Sequence, residues 1–99
     1  MIQIFIQRLA QKTLEDLFYR NQKQYRSIAK AIDDLEKNGL SASNIKKLRG
    51  TKNIFRKRVG RWRLLFTAEG TILKIWIIAI EKGTKQDYLR WIFYIQKNP

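Results

Sequence analysis

The stretch Ile54-Phe55-Arg56-Lys57-Arg58-Val59-Gly60-Arg61-Trp62-Arg63-Leu64-Leu65-Phe66 carries the residue types and spacing best suited to chemistry. Side chains alternate along a strand, so extended backbone puts Arg56 and Arg58 on one face, opposite Phe55 and Val59. In the next strand Arg63 faces away from Trp62, Leu64 and Phe66. A tight connection at Gly60 then brings three guanidiniums onto one sheet surface. They repel one another unless an anion sits among them. A guanidinium is always charged, and its planar fork matches phosphate oxygens. The chemistry this array suits is the binding of a phosphodiester. The same spacing also fits a solvated basic outer face of an antiparallel sheet, and residue types alone leave both readings open. Lys57 fits neither, because it shares the face of Phe55 and Val59; an edge position from which its stem snorkels would accommodate it.

The chain has 99 residues and contains neither cysteine nor histidine. That excludes disulfide scaffolds, zinc sites of the usual ligand types, thiol nucleophiles and imidazole bases. Any chemistry runs on Tyr, Lys, Arg, Asp, Glu, Ser or Thr, and neither a metal nor a cofactor is expected.

Charge sharpens the reading. Lys and Arg number 21 against 8 Asp and Glu, a formal charge of +13. Seven basic and five acidic residues lie in Met1–Ser43, nine and none in Asn44–Arg63, and five and three from Leu64 onward. Such an excess works against a compact domain by self-repulsion. Its concentration in one acid-free segment, alternating with apolar residues, is the electrostatic footprint of polyanion binding.

The elements that position the arginines follow from periodicity. Ile2, Ile4 and Ile6 alternate with Gln3 and Phe5 as a short strand. From about Leu9 the period becomes helical, with Leu9, Thr13, Leu14, Leu17 and Phe18 on one face. Asn21 breaks the helix. Tyr25, Ile28, Ala29, Ile32 and Leu35 then define a second helix, which Asn38-Gly39 ends. The two should form an antiparallel hairpin. Leu40 to Asn53 reads as a connection anchored by Leu48. Three strands follow: Ile54–Val59, about Arg61–Thr67, and Ile72–Ile80, with a hairpin turn at Glu69-Gly70. The last is apolar on both faces, as a covered central strand is. Gln86 to Gln96 is aromatic-rich and reads as a closing helix; Trp91 and Tyr94 more readily pack on the sheet than stack on bases.

The predicted order is β-α-α-β-β-β-α in one domain spanning residues 1–99. It is an α+β arrangement with an antiparallel sheet packed on the helical hairpin. The longest apolar stretch, Ile75 to Ile80, is too short to span a bilayer. The N-terminus MIQIFIQRLA lacks the features of a signal peptide. A cytoplasmic protein is expected.

Lys47-Leu48-Arg49-Gly50, the segment Arg58-Val59-Gly60-Arg61-Trp62-Arg63-Leu64-Leu65-Phe66, the apolar strand after it, a basic turn and Tyr88 together resemble the RelE/ParE superfamily of bacterial and archaeal toxins. The resemblance covers essentially the whole chain. It implies a RelE-like fold and the toxin of a toxin–antitoxin system, with an acidic antitoxin as partner. RelE-like members are ribosome-dependent messenger-RNA endoribonucleases that work without metal. In them a ribose 2′-hydroxyl attacks the adjacent phosphorus, giving a 2′,3′-cyclic phosphate and a 5′-hydroxyl.

Carried over position by position, the resemblance makes Arg56, Arg58, Arg63, Lys82 and Tyr88 the catalytic set. Tyr88 would be the base or a stacking group, and Lys82 stands near a family arginine in the turn after the last strand. Lys46, Lys47, Arg49, Lys52, Lys57, Arg61 and Lys85 are the expected RNA-binding cations. The turn Glu81-Lys82-Gly83-Thr84-Lys85 departs from the family in lacking that arginine. ParE-like members share the fold but inhibit DNA gyrase, so gyrase inhibition and a catalytically decayed RNA-binding module are the alternative activities.

Overall fold

The alternation of Ile2, Ile4 and Ile6 gives way to helical spacing at Arg8, and the backbone changes with it. The structure is a computed structural model that describes residues 2–70 and 73–83. Strand β1 (Gln3–Ile6) leads into helices α1 (Arg8–Arg20) and α2 (Gln22–Asn38) and a 3-10 turn at Gly39–Ser41. Strands β2 (Ile45–Lys47), β3 (Ile54–Val59), β4 (Trp62–Glu69) and β5 (Lys74–Lys82) follow. The expected closing helix over residues 86–96, with Lys85, Tyr88, Trp91 and Tyr94, lies outside the described residues, as does Ile72.

Asn21 does two jobs at the hairpin's tip. Its backbone N–H closes α1 on the Leu17 carbonyl, and its side-chain oxygen accepts from Gln24 N at 3.1 Å. That bond satisfies one of the amides that a helix start leaves without a partner. Gly39 ends α2 at φ 56°, a left-handed conformation that glycine takes without a Cβ clash. The break and the stop fall where the sequence put them.

The strand order is β1-β5-β4-β3-β2. β1 lies parallel to β5, and the other neighbours are antiparallel. The helical hairpin covers one face. Ala10, Leu14 and Leu17 from α1 and Ile28, Ala31 and Leu35 from α2 pack on Leu64, Phe66, Ile75, Ile77 and Ile80. The expected α1 stripe is narrower than the sequence suggested. Leu9 and Phe18 flank it, 41% and 45% exposed, because the sheet covers only its centre. A smaller cluster of Leu48, Ile54, Leu65 and Ala79, with Ile78 against it, lies on the sheet's other face. β5 therefore buries apolar residues on both sides, as its unbroken hydrophobic run requires.

Three features differ from the sequence reading. The expected antiparallel sheet is mixed, because β1 runs parallel to β5. The connection after α2 contains β2, which pairs antiparallel with β3 through Lys46↔Arg56. Leu48 beyond it is buried, as expected of an anchor. The ladder between β4 and β5 also shifts by one residue: Leu65 is opposite Ala79 but Phe66 is opposite Ile77. Ile78 is thus the extra residue of a β-bulge, and it joins Ala79 on the smaller cluster's side. None of the described helices is long and apolar enough to cross a membrane.

Candidate functional site

The sheet face away from the helices carries the arginines. Ile54 and Leu65 lie on that face in the smaller cluster. Arg56, Arg58 and Arg63 share their pleat parity. Phe55, Val59, Trp62, Leu64 and Phe66 point to the helix-side core. Arg58 stands directly opposite Arg63 across β3 and β4, and Arg56 stands opposite Leu65. The three guanidiniums expected on one surface are brought there. Directly opposed side chains have Cβ atoms about 5 Å apart, close enough for like charges to repel. Rows along the strands are about 7 Å apart, which separates Arg56 from the Arg58–Arg63 row.

Local contacts orient the arginines. Arg63 Nη1 donates to the Gly83 carbonyl at 2.5 Å, which ties β4 to the residue after β5. Arg58 Nε reaches the Gly60 carbonyl at 3.4 Å. Gly60 holds φ 61° at the two-residue connection, a conformation that lets Val59 and Trp62 pair across the hairpin. Arg58 is exposed, while Arg56 and Arg63 are half-buried.

The bulge decides which residue of β5 completes this row. Ile75 and Ile77 point to the helix-side core. Simple alternation from them would put Lys82 on the arginine face. Because Ile78 and Ala79 both point away from the helices, Ile80 returns to the helix side and Glu81 faces the arginines. Glu81 is the register partner of Arg63, and Lys82 that of Trp62. The row therefore reads Arg58–Arg63–Glu81. Lys82, exposed at the strand's end, has the opposite facing. Sequence reasoning missed Glu81, since only a bulge inside a uniformly apolar strand gives it that place.

The expected RNA-binding cations divide. Lys46 is exposed beside Arg56 and shares its face through the β2–β3 register. Lys47 is the next residue, opposite Phe55, and so turns to the other side. Arg49 and Lys52 are exposed in the loop between β2 and β3, and Arg61 is exposed at the β3–β4 connection. Lys85 and Tyr88 lie outside the described residues.

Lys57 is a correction. It is neither a surface cation nor a snorkelling edge residue: it is 3% exposed beneath the helices. Its Nζ donates to Asp34 Oδ2 at 2.7 Å and to the Ser43 carbonyl at 2.6 Å. Asp34 also accepts from Asn38 Nδ2 at 2.7 Å and from the Ser43 backbone and hydroxyl, each at 3.2 Å. The hydrogen bond from Lys57, followed by that from Asn38, holds the Asp34 carboxyl well below the usual carboxylate range. The pair fastens α2 and the segment after it to β3. Lys57 thus holds the sheet from behind while its neighbours Arg56 and Arg58 project from the front.

No family model matches the sequence, and no curated protein does. The backbone has well-matched counterparts. A YoeB/ParE toxin from Agrobacterium tumefaciens superposes with TM-score 0.72 at 10% identity, over 83% of this chain and 99% of that one. The archaeal RelE–RelB complex from Pyrococcus horikoshii matches with TM-score 0.70 at 22% identity, over 85% and 97%. A YoeB dimer from Staphylococcus aureus gives 0.70 at 16%, over 84% and 98%. The architecture is α+β, two helices on a five-stranded sheet among the described residues. It is the RelE/ParE toxin superfamily fold, the fold that the Val59-Gly60-Arg61-Trp62-Arg63 segment led the sequence reading to expect.

Proposed function

We propose that the chain is the toxin of a toxin–antitoxin pair and cleaves messenger RNA at the ribosome through its arginine face. The observation that carries this reading is the in-register pair Arg58 and Arg63, with Arg56 beside them, on the face the hairpin leaves uncovered. The fold shared with RelE and YoeB toxins supports it.

In this reading the scissile phosphate sits among the three guanidiniums on the Arg56–Arg58 side of Arg63, away from the Glu81 carboxylate that ends the row. The 2′-oxygen attacks phosphorus, the bond to the 5′-oxygen breaks, and a 2′,3′-cyclic phosphate and a 5′-hydroxyl result. The proton leaving the 2′-hydroxyl goes to a base, a role assigned here to Tyr88, and the departing 5′-oxygen takes up a proton from water. Negative charge accumulates on the phosphorane oxygens as the bond forms. The half-buried Arg63 guanidinium, already held by the Gly83 carbonyl, meets that charge with little reorganisation, and such preorganised donors are often the largest catalytic contribution. Lys46 and the loop cations Arg49 and Lys52 hold the flanking phosphates. Lys82, at the same end of the sheet but turned away, contributes charge rather than a contact. A net charge of +13 suits an acidic antitoxin that folds as it binds and neutralises the face.

The test is induced expression followed by mapping of messenger-RNA 5′ ends, beside a parallel culture with translation blocked. New 5′-hydroxyl ends that disappear when translation stops are the expected result. Intact messenger RNA with damaged DNA would replace this reading by gyrase inhibition.

A further inference from the structure

The outer side of the helical hairpin has no part in the arginine site, yet its surface is unusual. At the tip, Tyr19 is 82% exposed and Phe18 45%. Phe18 is the hub of an aromatic cluster. It meets Tyr19 edge-on at 5.3 Å and Tyr25 of α2 edge-on at 5.2 Å. An aromatic side chain as exposed as Tyr19 gains little from the protein's own packing. Arg20 on α1 and Lys23, Arg26 and Lys30 on α2 are exposed, and no acidic residue occurs between Leu17 and Ile32, the exposed Glu15 and Asp16 standing one turn before Tyr19 on α1. Lys23, Arg26 and Lys30 recur at spacings of three and four, so they form one stripe along α2. That stripe lies opposite the buried Ile28, Ala31 and Leu35.

An exposed aromatic ring at one end of a line of cations offers what single-stranded nucleic acid requires: a surface for a base to stack on and charges that follow its backbone. A second copy of this chain is a poor occupant, because a self-complementary contact would set these four cations against another four. We propose that the hairpin tip is a second RNA-binding surface. It takes an unpaired base of a looped RNA against Tyr19 and the adjoining phosphates along Lys23, Arg26 and Lys30. The helices pack on the sheet face opposite the arginines, so the two surfaces point away from each other. One RNA segment in the arginine face does not occupy the tip. The tip therefore grips a separate part of a folded RNA and docks the chain on it. This does not depend on the nuclease reading, because a catalytically inert chain would bind the same way.

The test uses the full chain and three labelled probes: an RNA stem with a purine loop, the same RNA as a perfect duplex, and a polyglutamate peptide of equal charge. Binding is measured in the parent and in an Arg56→Ala/Arg58→Ala background, which weakens the other face. Tyr19→Ala, at a site too exposed to disturb the fold, should weaken loop binding on the order of tenfold and duplex binding far less. Arg26→Gln should flatten the log–log salt dependence of loop binding by about 0.7, the loss of one phosphate contact. Photocrosslinks from the loop base should map to residues 18–26 in both backgrounds. Unchanged loop affinity in Tyr19→Ala overturns the proposal. So does an effect that vanishes in the Arg56→Ala/Arg58→Ala background. Polyglutamate bound as tightly as RNA, and lost in parallel, would mean that the tip receives an acidic protein instead. None of these outcomes bears on whether 5′-hydroxyl ends form, so the nuclease reading stands or falls separately.

Discussion

Removing either partner of the Lys57–Asp34 pair breaks the same 2.7 Å contact, but the two losses should be very unequal. The Lys57 side chain is 4% exposed and that of Asp34 28%. In Lys57→Met the stem volume is kept, and Asp34 retains Asn38, Ser43 and access to water. The cost of breaking a buried pair comes chiefly from the charge left buried without a partner, and the partly exposed Asp34 carboxylate is not left in that state. In Asp34→Asn the ammonium stays buried with the Ser43 carbonyl as its strongest acceptor. An uncompensated charge at such a site costs about 3 kcal/mol. For a domain of this size that lowers Tm on the order of 10–20 °C. The double variant Lys57→Met/Asp34→Asn should recover most of the loss, since no charge is then stranded. Urea and thermal denaturation followed by circular dichroism at pH 7 read all three. If Lys57→Met proves as destabilising as Asp34→Asn, the assignment of the cost to a stranded ammonium is wrong.

Other consequences are simpler to test. Asp34 has a lower carboxyl pKa folded than unfolded, so the unfolded chain takes up the proton first. Its stabilising share is complete above the ordinary carboxylate value of 3.8 and is lost as pH falls below it. The slope of stability against pH between about 4 and 2 should therefore flatten in Lys57→Met/Asp34→Asn relative to the parent. Gly39→Ala should cost about 1–2 kcal/mol in urea titration, from the left-handed backbone alone. A methyl there also comes within 2.9 Å of Leu73 Cδ2 and 3.0 Å of Ile2 Cδ1. Lys82→Ala should slow messenger-RNA cleavage far less than Arg63→Ala, because the bulge turns Lys82 from the row that Glu81 completes.

The sequence disclosed the arginine face because alternation survives wherever only one side of a sheet meets the core. Phe55, Val59, Trp62, Leu64 and Phe66 had to face the helices, and Arg56, Arg58 and Arg63 followed onto the other side. The helix break at Asn21 and the stop at Gly39 were legible through capping chemistry. Three features were hidden, for separate reasons. β2 is three residues long, two of them lysines without a clear alternation, and only pairing with β3 defines it. The bulge at Ile78 lies in a strand apolar on both faces, where a one-residue slip leaves no mark in the pattern. Lys57 obeyed the alternation all along. Its partner Asp34 is 23 residues away on α2, and no local spacing reveals a contact of that range.

The arginines are assigned to act on the reacting phosphate rather than only to dock RNA, and Arg63 separates those roles. A contact that strengthens as charge develops lowers the rate more than the affinity when it is removed. Lys46 is the comparison: it shares the face of Arg56 at the exposed edge, where a phosphate contact should add modest, salt-dependent affinity. The decisive measurement is cleavage in a purified translation complex, beside ribosome co-sedimentation, for Arg63→Ala and Lys46→Ala. Arg63→Ala should slow cleavage on the order of 10²–10³-fold while co-sedimenting within a few-fold of the parent. Lys46→Ala should still cleave and still co-sediment. Cleavage by Arg63→Ala at nearly the parent rate, or equal loss of ribosome binding in both variants, would reduce the arginine face to a docking surface and contradict the catalytic assignment.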